Sequence, residues 1–331
     1  MTTRKLAISI GDPAGIGPEI ALKAALDPRV RGVCRTVLVG DRRVLEAHAE
    51  SSGLTPRLKS YQSAAAIDWA ADEVPVLALD QFGTEAVAIG QVRAAHGRAA
   101  IEAARTAIEA ALAGHVDAVV AAPQTESAIK EAGIEFDGYP SFVARCTGIP
   151  AEDAFLMICF DDMRIVHTTL HVGLARAVAL ITRERVKRVI EAAQQALRKM
   201  GVAVPRIAVS GLNPHAGEHG LFGEEEIHII GPAMAEAKAA GAKVEGPFGA
   251  DTMFHMSGYD AYIVMFHDQG HIAAKLLARN RSAGLTIGTP VLFSSVAHGS
   301  ALDIAGKNRA SAEAIVEAVH RLVGVAQRKA A

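Results

Sequence analysis

The sequence predicts an α/β protein built as two lobes, and three observations carry that prediction. Apolar runs of strand length alternate with longer stretches of helical periodicity along the whole chain, the pattern of helices layered on a largely parallel sheet. The chain has 331 residues, beyond the roughly 250–300 at which a single core stops growing. Half the residues are hydrophobic, 30 are glycine and only 5% are aromatic, a composition that suits helices packed closely on a sheet.

Taken in order, Leu6–Ile10 reads as a first buried strand, ended by Gly11-Asp12-Pro13. A helix opens at Gly17-Pro18-Glu19, with Pro at an early helical position and Glu in the first turn. Strands follow at Thr36–Gly40 and Ala118–Ala122, separated by the long Ala-rich helical stretch Val87–Ala113. Further strands are expected at Ala154–Cys159, Arg164–Thr168, Ile207–Ser210, Ala261–Phe266 and Val291–Ser294, and helices at Thr182–Met200, Glu224–Ala240 and Ala310–Val325. The hairpin-like neighbours around Phe160-Asp161-Asp162 make the expected sheet mixed, though mostly parallel. No repeat, low-complexity tract or obvious linker interrupts the chain, so the lobes are expected to interleave.

Charge narrows the function. The formal net charge is −2 and no basic block is present, which disfavours nucleic acid and an anionic membrane surface as partners. No apolar run reaches the ~20 residues needed to span a bilayer, and the run at the N-terminus is too short for a signal peptide. Cys34, Cys146 and Cys159 form no C-x-x-C pair, so they read as reduced thiols in a cytoplasmic protein.

In open α/β sheets ligands bind beyond the carboxyl ends of the strands. Polar clusters follow predicted strands at Gly11–Glu19, Ala122–Glu126, Asn213–Glu218, His267–His271 and His298–Ala301. His171, His215 and His267 each follow a different strand, and neutral imidazoles suit zinc and other transition ions. Asp251 and Asp268 can add oxygen ligands or accept hydrogen bonds behind the histidines. From the residues alone two readings stay open: a shared metal ion, or histidines that merely cap their loops. Lys275, eight residues past His267, is either a proton carrier on a short helix facing the same site or a solvated surface lysine. The Gly11–Gly17 segment matches neither G-x-G-x-x-G nor a P-loop and can simply shape a strand-to-helix turn. The small-residue segment His298–Lys307 lets a planar ring or a phosphate approach the backbone. Acyl or phosphoryl transfer through Ser141 or Ser210 lacks a G-x-S-x-G elbow or a Walker lysine.

Together the segments G-D-P-A-G-I-G-P-E (Gly11–Glu19), N-P-H-A-G-E (Asn213–Glu218), G-A-D-T (Gly249–Thr252), H-D-Q-G (His267–Gly270) and H-G-S-A…A-G (His298–Gly306) resemble 4-hydroxythreonine-4-phosphate dehydrogenases over nearly the whole chain. The last segment also resembles the adenine-side NAD loop of isopropylmalate and isocitrate dehydrogenases. The resemblance implies two α/β lobes with a cleft between them, like isopropylmalate and isocitrate dehydrogenases. Residues 1–125 and 285–331 would form the NAD-associated lobe, and 126–284 the metal, substrate and dimerisation lobe. It implies a divalent metal on His171, His215 and His267, zinc first and otherwise magnesium, manganese, cobalt or iron. It further implies a homodimer sharing that metal site, a small carboxylate substrate, Lys275 as a substrate-contacting and catalytic residue with Asp251 and Asp268, and NAD held by His298, Gly299, Ser300, Ala301, Asp303, Ile304 and Gly306.

Two departures bear on the substrate. The family's G-H-T-E motif reads Gly138-Tyr139-Pro140-Ser141 here, and Gly284 and Phe293 stand where an Asn and an Arg help hold the phosphorylated substrate. A phosphate needs donors and positive charge, which Phe does not supply. G-Y-P-S and the segment Arg164–His171 are similar to the terephthalate cis-dihydrodiol dehydrogenase branch, with Tyr139, Ser141 and Phe293 against a ring. The expected reaction is then NAD- and metal-dependent oxidative decarboxylation of 1,2-dihydroxy-3,5-cyclohexadiene-1,4-dicarboxylate to protocatechuate. The alternative is oxidation of 4-hydroxythreonine 4-phosphate or a related phosphorylated sugar acid.

Overall fold

The computed structural model describes residues 3–83, 87–278, 282–296 and 298–324. Its strands are β1 (Arg4–Ser9), β2 (Cys34–Gly40), β3 (Leu58–Tyr61), β4 (Val74–Ala78), β5 (Ala118–Ala121), β6 (Phe155–Phe160), β7 (Met163–His167), β8 (Arg206–Ser210), β9 (Lys243–Phe248), β10 (Ala261–Val264), β11 (Ala283–Ile287) and β12 (Phe293–Val296). Its α-helices are α1 (Gly17–Leu26), α2 (Pro28–Arg31), α3 (Arg42–Ser51), α4 (Ala94–Leu112), α5 (Glu126–Glu131), α6 (Tyr139–Thr147), α7 (Leu174–Leu180), α8 (Arg183–Lys199), α9 (Gly231–Ala239), α10 (His267–Ala278) and α11 (Glu313–Leu322).

The chain divides into two compact units, one of Met1–Thr147 with Pro290–Val325 and one centred on Gly148–Thr289. In the first, the strands run in the order β3-β4-β2-β1-β5-β12, every pair parallel. Parallel strands are covered on both faces, and β1, β2 and β5 are correspondingly apolar and buried. Ile101, Ala104 and Ile108 of α4 pack on Val119, Ala121 and Phe293 to make the core on one face. Ile129 of α5 and Phe142 and Val143 of α6 belong to the same core. The chain therefore divides after Thr147 and after Thr289, rather than after residues 125 and 284, because α5 and α6 have their apolar faces in the first unit. The stretch after Gly324, which the sequence reading gives to the first lobe, lies outside the described residues.

In the second unit the order is β11-β6-β7-β10-β8-β9. β11 and β7 both run antiparallel to β6, while β7, β10, β8 and β9 are mutually parallel. The tight turn at Asp161-Asp162 produces the β6–β7 hairpin, with Asp161 at φ 43°. The sheet is thus mixed and mostly parallel, as the sequence predicts. Helix α8 begins where the Thr182 hydroxyl accepts from Arg185 N.

The differences lie in short elements. The half-exposed strand β3 and its neighbour β4, the Pro-containing β9, and the short helices α5, α6 and α7 carry too little pattern to be read, whereas α3 buries Val44, Leu45, His48 and Ala49 at a helical spacing that the sequence reading passed over. The expected helix Glu224–Ala240 is a π-turn at Glu226–Ile230 followed by α9, and the long helix starts at Ala94 rather than at Val87.

Candidate active site

The parallel strands of the second unit deliver four loops to one end of its sheet. Strand β7 ends at His167 and continues through the buried Thr168 and Thr169, whose backbone N–H groups bond the carbonyls of Val264 and Met265 (2.9 and 3.1 Å). That turn delivers His171 just ahead of α7. Strand β10 runs almost directly into α10, which starts at His267. The rings of His171 and His267 lie 5.6 Å apart, centre to centre, beside an open cavity of about 420 Å³ that Leu174, Phe266 and Asp268 also line. Asp268 accepts a hydrogen bond from His267 Nδ1 at 2.6 Å, which leaves Nε2 as the ring's free acceptor.

Behind this pair stand two histidines that sequence reasoning missed. His271, one turn along α10, stacks on His267 with centres 3.8 Å apart and planes within 10°. His167, 1% exposed, bonds His271 Nδ1 through its Nε2 at 3.0 Å and the Leu156 carbonyl through its Nδ1 at 3.4 Å. A carbonyl only accepts, so His167 Nδ1 donates and Nε2 takes the proton of His271. Burial, then the neighbouring imidazoles, pushes His167 down to about 3 and His271 down to about 4. The H-x-x-x-H spacing of 267 and 271 is a helix-face signal that could have found His271; nothing in the sequence marks His167. Lys275 continues the same face and is exposed.

His215 follows β8 in a turn whose residues His215, Ala216, Glu218 and His219 all have positive φ (52°, 54°, 43° and 57°). Its side chain is 64% exposed, with Glu218 3.7 Å away. The turn is anchored by Glu226, which accepts from the backbone of Leu212 and Asn213 at 2.7 and 2.8 Å. Gln269 couples the β8 and β10 ends, accepting from Met265 N at 2.8 Å and donating to the Gly211 carbonyl at 3.1 Å. The Gly249–Thr252 turn, which carries the exposed Asp251, runs close beside His215: a β-carbon on Gly249 would lie 3.6 Å from His215 Cα.

Among the described residues no group of three or more His, Cys, Asp or Glu side chains is arranged to hold a metal ion. The donor chemistry of the His171–His267 pair nevertheless fits one. Two imidazoles on a tetrahedral ion, each nitrogen about 2.0–2.1 Å from it, keep their ring centres about 5–5.5 Å apart, close to the spacing seen here.

In the first unit, the Gly11–Gly17 turn is locked to the loop after β12. Ile16 N donates to the Ser300 carbonyl at 2.9 Å, and Thr125 Oγ1 bonds Ser300 Oγ at 2.9 Å. A β-carbon on Gly15 would lie 2.7 Å from Ser300 Cβ and 2.8 Å from its carbonyl oxygen, so only glycine lets the two segments approach. His298, Gly299 and Asp303 are exposed, nothing lies within 4 Å of where a Gly299 β-carbon would stand, and Ala301 and Gly306 adopt φ of 42° and 69°. Ile304 N bonds the Ala301 carbonyl at 3.1 Å. The loop thus offers open backbone on a pinned base, which fits a dinucleotide.

Tyr139 and Phe293, expected from the sequence against the substrate, pack first against each other, with ring centres 4.8 Å apart. Phe293 is 0% exposed in the first unit's core, and burial raises the Tyr139 phenol well above its usual range. These aromatics fill core space rather than line an open wall. Ser141 bonds Asp137; although burial opposes it, that bond and the Arg145 guanidinium hold the Asp137 carboxyl below its usual range. Gly284 lies in β11, paired with Ile158.

A mixed α/β architecture with histidines, carboxylates and a lysine at its strand ends describes a metabolic enzyme. Residues 32–322 match the family model of the pyridoxal phosphate biosynthetic protein PdxA, and the chain belongs to that family. It is 42% identical to a Symbiobacterium thermophilum protein provisionally named D-threonate 4-phosphate dehydrogenase, over 96% of both chains. It is 39% identical to the 1,2-dihydroxy-3,5-cyclohexadiene-1,4-dicarboxylate dehydrogenase of a Comamonas species, again over 96% of both. Among solved structures, 4-hydroxythreonine-4-phosphate dehydrogenase from Klebsiella pneumoniae superposes with TM-score 0.86 at 33% identity, covering 98% of this chain and 100% of that one. A terephthalate 1,2-cis-dihydrodiol dehydrogenase from Burkholderia xenovorans LB400 superposes with TM-score 0.79 at 41% identity, covering 98% of each. The chain is therefore a dehydrogenase acting on a CH–OH group, of a family that depends on NAD(P) and a divalent metal. Among the described residues no helix is long and apolar enough to cross a membrane.

Proposed function

We propose that this enzyme oxidises the secondary alcohol of a small phosphorylated hydroxy acid of the D-threonate 4-phosphate or 4-hydroxythreonine 4-phosphate kind, and that the β-keto acid so formed loses carbon dioxide. The observation that carries the reading is the strand-end array of His171, His267 and Lys275 in a chain 42% identical, end to end, to a relative named for such a substrate. His171, His215 and His267 are the residues assigned to the cation, zinc first and otherwise magnesium, manganese, cobalt or iron. When bound, that cation supplies a Lewis acid for the substrate's hydroxyl and carboxylate, and NAD supplies the hydride acceptor. Asp268 holds the His267 ring edge-on. Lys275 takes the hydroxyl proton, with Asp251 and Asp268 able to do so through a water. His298–Gly306 holds the dinucleotide on the base pinned by Ile16 and Thr125. The unit of Met1–Thr147 with Pro290–Val325 is then the nucleotide side, and Gly148–Thr289 the cation and substrate side.

We further propose a homodimer in which a second copy completes the cation site. Two exposed apolar stripes on the second unit support it: Ile272, Leu276 and Leu277 of α10 (58, 73 and 50% exposed), and Leu174 of α7 (61%). Apolar surface of this extent is normally covered.

A second reading has its own observation. Phe293, buried against Tyr139, offers neither donor nor charge where the family resemblance expects a phosphate ligand, and the chain is 39% identical to a relative named for the dihydrodiol dicarboxylate, which favours that substrate. NADH production on D-threonate 4-phosphate, 4-hydroxythreonine 4-phosphate and the dihydrodiol, with and without a chelator, decides between them. Turnover of a phosphorylated acid at least tenfold faster, abolished by chelator, supports the first reading. Turnover of the dihydrodiol alone installs the second, and no NADH on any of the three overturns both.

A further inference from the structure

The reaction proposed above uses neither His167 nor His271, yet the fold goes to some length to seat them. Gly270 carries no side chain because a β-carbon there would overlap His167 Nε2 and press on Ile165 and Val264. His167 is fixed at its Nδ1 by the Leu156 carbonyl of the neighbouring strand β6 and at its Nε2 by His271. His271 then lies flat on His267 at 3.8 Å, while Asp268 holds the same ring by its edge at 2.6 Å. One imidazole at the head of a surface helix is thereby gripped on its face and on its edge, so its two side-chain torsions are no longer free.

We propose that the His167–His271 pair is a positioning device for His267, transmitting the fixed place of a buried backbone carbonyl to the orientation of a cation-binding ring. This rests on the reading of His267 as a cation ligand. A ligand ring that must be ordered at the moment of binding loses affinity by the entropy of ordering it; a ring already held does not. The two partners have separable duties. The flat face of residue 271 restrains His267, whereas its Nδ1 proton keeps the buried His167 Nε2 paired and so fixes where that face lies. His271 touches neither substrate nor cofactor in this scheme and is a positioning residue.

Cobalt(II) titration of the chelator-treated full-length protein tests this, followed by calorimetry and by the visible absorption of the bound ion. His271→Ala is expected to weaken cobalt binding by about 10- to 100-fold and to alter the absorption band. His271→Phe, which keeps a flat ring but loses the donor that fixes its place, is expected to fall between wild type and the alanine variant, weakening cobalt binding by less than about tenfold while melting at a lower temperature than wild type. His271→Leu carries the same test as alanine should that variant not fold. Cobalt affinity within twofold of wild type in the alanine or leucine variant overturns the positioning role and leaves the cation site standing. Absence of cobalt binding by the wild-type protein overturns the cation site itself, and the positioning role with it.

Discussion

The turn at Gly11–Gly17 and the loop at His298–Gly306 are held together largely by main-chain groups, whereas the histidines of the second unit are held by other side chains. In the first unit Ser300 is seated by the Ile16 amide and by the absence of a side chain on Gly15, with the Thr125 hydroxyl adding a bond. In the second, His267 is seated by Asp268 and His271, and His271 by His167. Main-chain seating presents backbone to a ligand and tolerates most side-chain changes, but not an added β-carbon. Side-chain seating arranges donors for chemistry and is undone by truncation, with little cost to the fold where the side chain is partly exposed.

Four measurements sharpen or break this contrast. The largest expected effect is on turnover: His267→Ala lowers NADH production at least about a hundredfold. With its side chain 35% exposed, its loss should change unfolding free energy by no more than about 0.5 kcal/mol. Turnover assays paired with urea denaturation check both halves, and a collapse in stability would break the contrast. Next, Gly15→Ala places a β-carbon 2.7 Å from Ser300 Cβ and should cost about 1–3 kcal/mol. It should also raise KM for NAD more than it lowers kcat; an unchanged KM would separate the turn from the dinucleotide. Thr125→Val removes the bond to Ser300 Oγ and should cost about 0.5–1.5 kcal/mol, with NAD affinity falling less than tenfold by calorimetry.

The last effect is confined to acid pH. His48 is 0% exposed, donates from Nε2 to the Pro13 carbonyl at 2.9 Å, and leaves Nδ1 without a partner among the described residues. Burial lowers its pKa in the folded chain. As pH falls below the ordinary histidine value of about 6.5, the unfolded chain therefore binds a proton that the folded chain refuses. The stabilisation is complete above that pH and is lost below it, at up to about 1.4 kcal/mol per pH unit for one proton. Melting temperatures between about pH 4 and pH 8 should fall less steeply on the acid side for His48→Leu than for wild type.

The fold class was legible because the central strands, such as β1 and β10, are continuous apolar runs bounded by Gly or polar residues. The four-residue strand β3 and the short helices α5 and α6 were not, since β3 is placed by pairing with β4 and the two helices by packing on α4 rather than by local pattern. That packing is also why the division between units falls after Thr147. For the candidate site, strand-end placement and the family resemblance singled out His171, His215, His267 and Lys275 as candidates, but a linear pattern records neither stacking nor which buried group lies behind a helix. His167 reads as one more strand residue, and its role depends on Gly270 and Leu156, which lie 103 and 11 positions away in sequence. Phe293 shows the opposite failure: the sequence suggests that it stands in place of a phosphate ligand, whereas its complete burial against Tyr139 depends on β12 lying beside β5.

That pairing of β12 with β5 joins chain segments 174 residues apart, and the clasp of Ser300 on Gly15 joins segments 285 apart. During synthesis the first five strands emerge early, but the partner of β5 and the loop that Gly15 awaits are made only after all of Gly148–Thr289. The first unit must remain unfinished, with one edge of β5 uncovered, while about half of the chain is being made. At a synthesis rate of about 5–20 residues per second that exposure lasts on the order of ten seconds or more. An uncovered strand edge invites mispairing, so yield during expression should respond to changes at β12 well before the activity of the folded enzyme does.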